Sequence, residues 1–112
     1  MRRAALAEAE RQIAEELRIA DRLRHALMPP LREAVASLRA RGGIGRAWLF
    51  GSYAWGKPSE ESDVDVLVEG CADVLTVAGE IGSATRLDVH VLERAQAPAE
   101  LVARVDAEGL PL

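Results

Sequence analysis

Cysteine occurs once in this chain, at Cys71, so no internal disulfide can form. Large aromatics are almost as scarce: two tryptophans, one tyrosine and one phenylalanine leave the core to be filled by aliphatic side chains and alanine. No apolar run approaches the roughly 18 residues of a membrane span. The arginine-rich start leads into a charged amphipathic pattern and not into the apolar segment of a secretion signal. These absences predict a cytoplasmic protein without membrane contact, with Cys71 a small, half-buried residue at a turn. Internal repeats and low-complexity linkers are also missing, and 112 residues suit one compact domain.

What is present fits a globular protein: 49% of residues are hydrophobic and 29% charged. The net charge of -4 speaks against a nucleic-acid surface, which needs a concentrated basic patch. The charge is unevenly spread. Residues 1–46 hold ten arginines against six acids, a balance of +4, whereas residues 47–112 hold four bases against twelve acids, a balance of -8. An acidic half that binds a polyphosphate needs metal ions to do so.

From Arg2 to Leu27 the spacing of Leu6, Ile13, Leu17, Ala20 and Leu27 predicts a helix, with Glu15–Arg18 and Asp21–Arg24 pairing on its exposed side. Pro29 and Pro30 are expected to end it. A second helix then starts at Pro30, buries Leu31, Val35 and Leu38, and stops at Gly42 and Gly43. The first helix is longer than one face of so small a sheet requires, so part of it is expected to project, as packing surface or as an oligomer or partner interface. The division expected is an N-terminal helical extension, 1–28, and a compact unit, 29–112. His25 reads as a residue near a helix C-terminus, favoured there by the dipole.

Arg46 to Phe50 reads as a first strand broken by Gly51, with Ser52 capping a short helix over Tyr53 to Trp55. Residues 56–62 read as a solvated loop containing Pro58 and the lone lysine, Lys57. Asp63 to Glu69 is the second strand, Ala72 to Ser83 a helix, Arg86 to Leu92 a third strand, and Pro98 to Glu108 a closing helix capped by Gly109. The fold class is therefore α/β (α+β), a small sheet flanked by helices.

The chemistry concentrates between Trp48 and Glu69. Strand periodicity sends Asp63 and Asp65 to one face and Val64, Val66 and Val68 to the other. Two adjacent carboxylates repel unless they share a cation, and hard divalent ions such as Mg²⁺ prefer such oxygen ligands while keeping places for phosphate. Asp88, in the next strand pattern, is a third candidate ligand and can accept a proton from an attacking hydroxyl. Gly51 lets the backbone approach a phosphate, and Ser52 with the free N–H groups of the turn can bind it. Trp48 and Trp55 read as packing residues, Lys57 as a solvated loop cation, and His90 as a strand histidine on the face of Asp88.

Taken together, the Gly51–Ser52 pair, ten intervening residues, Asp63-x-Asp65 and the later Asp88 resemble the signature of the nucleotidyltransferase superfamily that includes DNA polymerase beta. The short chain is similar to its minimal nucleotidyltransferase branch, which includes antitoxins paired with HEPN-domain toxins. The resemblance covers residues 44–93. It implies the nucleotidyltransferase fold with a mixed sheet, two Mg²⁺ ions held by Asp63, Asp65 and Asp88, ATP as donor held at Gly51 and Ser52, and transfer of AMP to a hydroxyl. One departure is plain: Trp55 stands where many members place arginine.

Three functions follow as expectations. The first is AMP transfer to a partner protein, with a HEPN-type toxin as partner and substrate. The second is a non-catalytic antitoxin that neutralises by binding. The third is nucleotide transfer to a small molecule, as in aminoglycoside-modifying relatives, which carry an added helical domain. Templated polymerisation is not expected of a chain with no domain to read a template.

Overall fold

The computed structural model describes residues 2–112 as a four-stranded sheet with helices on both faces. The chain runs through a long helix α1 (Arg2–Ala40), strand β1 (Ala47–Phe50), a short helix α2 (Ser52–Trp55) and strand β2 (Val64–Val68). Helix α3 (Val74–Thr85), strand β3 (Val89–Glu93), a 3₁₀ turn (Arg94–Gln96), helix α4 (Ala99–Glu108) and a two-residue strand β4 (Leu110–Pro111) complete it. The mixed sheet, the flanking helices and the long N-terminal helix all agree with expectation.

The sheet order is β3-β2-β1-β4. Strand β1 lies antiparallel to β2, with Ala47 opposite Val68 and Phe50 opposite Asp65. Strand β3 lies parallel to β2, with Val64 beside Val89 and Asp65 beside His90. Helix α3 is the crossover that this parallel pair requires. Its first turn is capped by Asp73, whose carboxylate accepts from the Leu75 and Thr76 N–H groups.

Period two divides the sheet into two faces. Leu49, Val64, Val66 and Val68 bury against Leu27, Leu31, Val35 and Leu38 of α1 and Val77 and Ile81 of α3. On the other face Trp48, Phe50 and Leu67 pack on Val105 of α4, with Trp55, Leu92 and Leu101 at the margin. The two tryptophans are thus packing residues, as read from the sequence. Trp48 is also flanked by the guanidinium groups of Arg46 and Arg94, 5.1 and 5.0 Å from its ring centre.

The two helices expected on either side of Pro29 and Pro30 are one. Both prolines lie inside α1, which ends only at Gly42 and Gly43. An interior proline costs a helix about 3 kcal/mol through its missing N–H and its steric clash. Leu27, Leu31, Val35 and Leu38 are nonetheless buried in one continuous stripe across the prolines. Burying each such side chain is worth about 1.5–3 kcal/mol, so packing outweighs the local cost. His25 is consequently a mid-helix residue and not near a C-terminus. The true end is a Schellman turn, with Gly42 at φ 74° and the Gly43 N–H donating to the Leu38 carbonyl at 2.8 Å.

The N-terminal part of α1 projects. Residues 4–18 are exposed throughout, and Leu6, Ile13 and Leu17 retain 63%, 52% and 48% of their surface. Ala20 and Leu27, further along the same face, are buried. Helix α1 runs antiparallel to β1: Arg39 donates to the Gly45 carbonyl near the start of β1, and Arg24 to the Tyr53 carbonyl beyond its end. The projecting arm therefore extends past the end of the sheet where β1 gives way to the Gly51 turn. Among the described residues no helix is long and apolar enough to cross a membrane.

Candidate active site

Strand β1 ends at Gly51, whose φ of 73° and ψ of -153° lie in a region that side chains avoid. The glycine is needed for space as well. A β-carbon here would fall 2.2 Å from Asp65 Oδ2, so the turn rests directly against that carboxylate. Gly51, and not Ser52, is the residue before the first turn of α2, and no side chain caps this helix. The expected capping role of Ser52 is thus corrected: Ser52 is the first helical residue. The Gly51 carbonyl instead accepts from the N–H groups of Ala54 and Trp55, both at 3.0 Å.

Asp65 sits on the α4 side of the sheet, where alternation along β2 places it with Asp63 and opposite Val64 and Val66. Its side chain is only 25% exposed. Burial pushes its carboxyl above the ordinary carboxylate range, His90 opposes that rise, and the charge of Asp63 adds to it. His90 Nδ1 lies 3.7 Å from Asp65 Oδ1, with the imidazole mostly in solvent. His90 therefore lines the site together with Asp65.

Asp63 and Asp88 stand immediately before β2 and β3 and not inside them, a small correction to both expected strand boundaries. The parallel register nevertheless continues to them: the Val64 N–H donates to the Asp88 carbonyl at 2.9 Å, and Val64 pairs with Val89. Asp88 is thus brought beside the start of β2 from 24 positions further along the chain than Val64. Among the described residues no three acidic, histidine or cysteine side chains are grouped so that together they could hold a metal ion. Asp63 lies near enough for its charge to act on Asp65, while Asp88 is placed beside β2 through its backbone carbonyl.

A hard divalent cation fits the Asp63–Asp65 pair. The Asp63–Asp65 repulsion and the partial burial of Asp65 call for positive charge, and the bare Gly51 backbone leaves Asp65 room that a β-carbon would fill. Helix α4 covers the Trp48–Leu67 part of this face and leaves the Asp65–His90 part open. Trp55 closes one flank, with its ring 6.1 Å from that of Phe50 and the Arg104 guanidinium 4.1 Å above it. Lys57 turns away to pair with Glu16 at 3.2 Å, in line with its reading as a solvated cation.

One contributor was not foreseen. Arg24 of α1 was read as an exposed partner of Asp21, and that contact exists at 3.4 Å. Its Nε also donates to the Tyr53 carbonyl at 3.0 Å, and its terminal nitrogen to the Gly56 carbonyl. A signal was available in the sequence: Leu17, Arg24 and Leu31 are seven apart and share one face, so a charge interrupts the apolar stripe.

Comparison with known proteins gives concordant results. A family model described as a nucleotidyltransferase domain matches residues 31–108. A candidate protein adenylyltransferase of Methanocaldococcus jannaschii is 47% identical over 45 residues, which is 38% of this chain and 45% of that protein. The match thus spans less than half of that relative. A solved structure of a candidate minimal nucleotidyltransferase superposes with a TM-score of 0.62 at 34% identity, over 72% of this chain and 88% of that one. A solved toxin-antitoxin structure with AMP-PNP superposes with a TM-score of 0.58 at 25% identity, over 70% of this chain and 69% of that one.

Proposed function

This chain belongs to the nucleotidyltransferase domain family, and from that premise we propose that it transfers AMP from ATP to a hydroxyl of a partner protein, a HEPN-type toxin, and acts as its antitoxin. The observation that carries the reading is the placement of Asp63 and Asp65 on one open face, with Asp65 directly against the Gly51 turn. The AMP-PNP in a similar toxin-antitoxin structure supports ATP as donor. The candidate adenylyltransferase relative supports a protein acceptor. On this reading residues 29–112 are the catalytic unit, and the part of α1 from Arg2 to Met28 extends beyond it.

Ser52 and the N–H groups of the turn bind the terminal phosphates, because the glycine before them lets the backbone come close. Asp63, Asp65 and Asp88 would hold Mg²⁺, which when bound neutralises the triphosphate and acidifies the acceptor hydroxyl. The acceptor oxygen attacks the α-phosphorus of ATP. A new O–P bond forms while the bond to pyrophosphate breaks, the hydroxyl proton passes to Asp88, and pyrophosphate leaves. The open face beside His90 gives a large acceptor access to the reacting phosphorus.

The test is incubation of the full chain with ATP, Mg²⁺ and its cognate toxin, followed by intact-mass analysis. The expected result is a toxin heavier by one or more AMP groups, abolished by Asp63→Ala. ATP binding without any adenylate on the toxin would overturn it. The exposed stripe Leu6, Ile13 and Leu17 supports a second reading, neutralisation by binding alone. Under that reading Asp63→Ala would still neutralise the toxin.

A further inference from the structure

A four-residue helix has almost nothing of its own to hold it in place. Within α2 and its flanks the backbone makes three bonds, from Ala54 and Trp55 to the Gly51 carbonyl and from Gly56 to the Ser52 carbonyl. Tyr53 is buried and pins the middle of the segment to the α1 side of the sheet. The carbonyls of Tyr53 and Gly56, at the far end from Gly51 and Ser52, are both taken by Arg24.

The geometry points to Arg24 as a positioning residue for nucleotide transfer. By gripping the carbonyl end of α2, it sets where the Gly51–Ser52 end faces the triphosphate. This inference rests on the proposed nucleotidyl transfer and adds to it a residue outside the matched segment 31–108. Its own surroundings suit the task. The side chain is 30% exposed, and Asp21, at 3.4 Å, takes the remaining terminal nitrogen. A planar guanidinium reaches two carbonyls at once from a fixed fork, whereas an ammonium acts as a point charge on a flexible stem. Arg24 acts only through the turn and touches neither substrate nor metal.

The test uses the full chain and AMP-PNP with Mg²⁺ as probe, so no acceptor is required. Arg24→Gln is expected to weaken AMP-PNP binding about tenfold or more through displacement of the turn. Circular dichroism and thermal melting of the nucleotide-free variant show whether it remains folded. Arg24→Lys should keep the charge without recovering the affinity. In the transfer reaction KM for ATP should rise while KM for the toxin stays unchanged, a split that general destabilisation would not produce.

A double-mutant cycle with Ser52→Ala decides the route. If Arg24 acts through the turn, the two losses are non-additive. Strictly additive losses, or parental affinity in a folded Arg24→Gln, would overturn the inference while leaving nucleotidyl transfer intact. Failure of the parent itself to bind AMP-PNP would instead overturn both readings.

Discussion

Gly51 and Asp65 touch so closely that a β-carbon on the glycine would lie 2.2 Å from the aspartate Oδ2. The contact follows from the register that pairs Phe50 with Asp65 and from the positive φ that turns the chain back over that carboxylate. Gly51→Ala should therefore be doubly penalised. The strained backbone alone costs about 1–3 kcal/mol, and the methyl group must displace Asp65. Urea denaturation should show that loss, and AMP-PNP titration a loss of nucleotide affinity. A variant of unchanged stability would mean that the turn relaxes away from Asp65.

Asp65→Asn should separate stability from function. The carboxyl is pushed up by burial and by Asp63, against the pull of His90. A carboxyl with a raised folded pKa binds its proton more tightly in the folded state, so stability falls as pH rises above the ordinary carboxylate range. Removing the charge should raise the neutral-pH melting temperature in EDTA, and the advantage should vanish in acid. With Mg²⁺ and AMP-PNP the order should reverse, because only the parent gains ligand stabilisation. An asparagine variant that melts lower than the parent in EDTA would contradict this.

The cap of α3 gives the opposite pH signature. Hydrogen bonds from the Thr76 hydroxyl and from the Thr76 and Leu75 N–H groups hold the Asp73 carboxyl below its usual range. Such a group contributes stability above the unfolded value and loses it as pH falls through the folded one. Asp73→Ala should be less stable at neutral pH, with the difference closing below about pH 4. Parallel acid-denaturation curves for the two proteins would count against the cap.

The projecting arm should be dispensable for folding. Ile13 is half exposed, and exposed substitutions away from structural features change stability by less than about 0.5 kcal/mol. Ile13→Asp should leave the melting temperature unchanged while weakening capture of the cognate toxin or self-association. Light scattering and co-purification measure the two. If both are unaffected, the stripe Leu6–Ile13–Leu17 is simply a solvated helix face.

Much of the site was legible because it depends on local periodicity. Alternation in a strand places Asp63 with Asp65, and a glycine after an apolar run marks a turn, whatever the rest of the chain does. Pro29 and Pro30 misled for the same reason. Their cost is local, but the packing of Leu27, Leu31, Val35 and Leu38 that overrides it is not. The short strand β4 escaped notice because Leu110–Pro111 has little pattern of its own and forms only by pairing with Trp48 and Leu49.

By itself, then, the sequence determined the sheet with its helices, the burial of the valines of β2, and the chemistry available at Gly51, Ser52, Asp63, Asp65 and Asp88. These depend on side-chain type and short-range spacing. Only the tertiary structure decided that Asp88, just before β3, lies beside the start of β2, since parallel pairing joins segments that no local rule connects. It also decided that one helix crosses two prolines, and that Arg24, far from the motif in the chain, holds the turn by its carbonyls. Those outcomes are contacts between distant segments, and their free energy exists only once the core has formed.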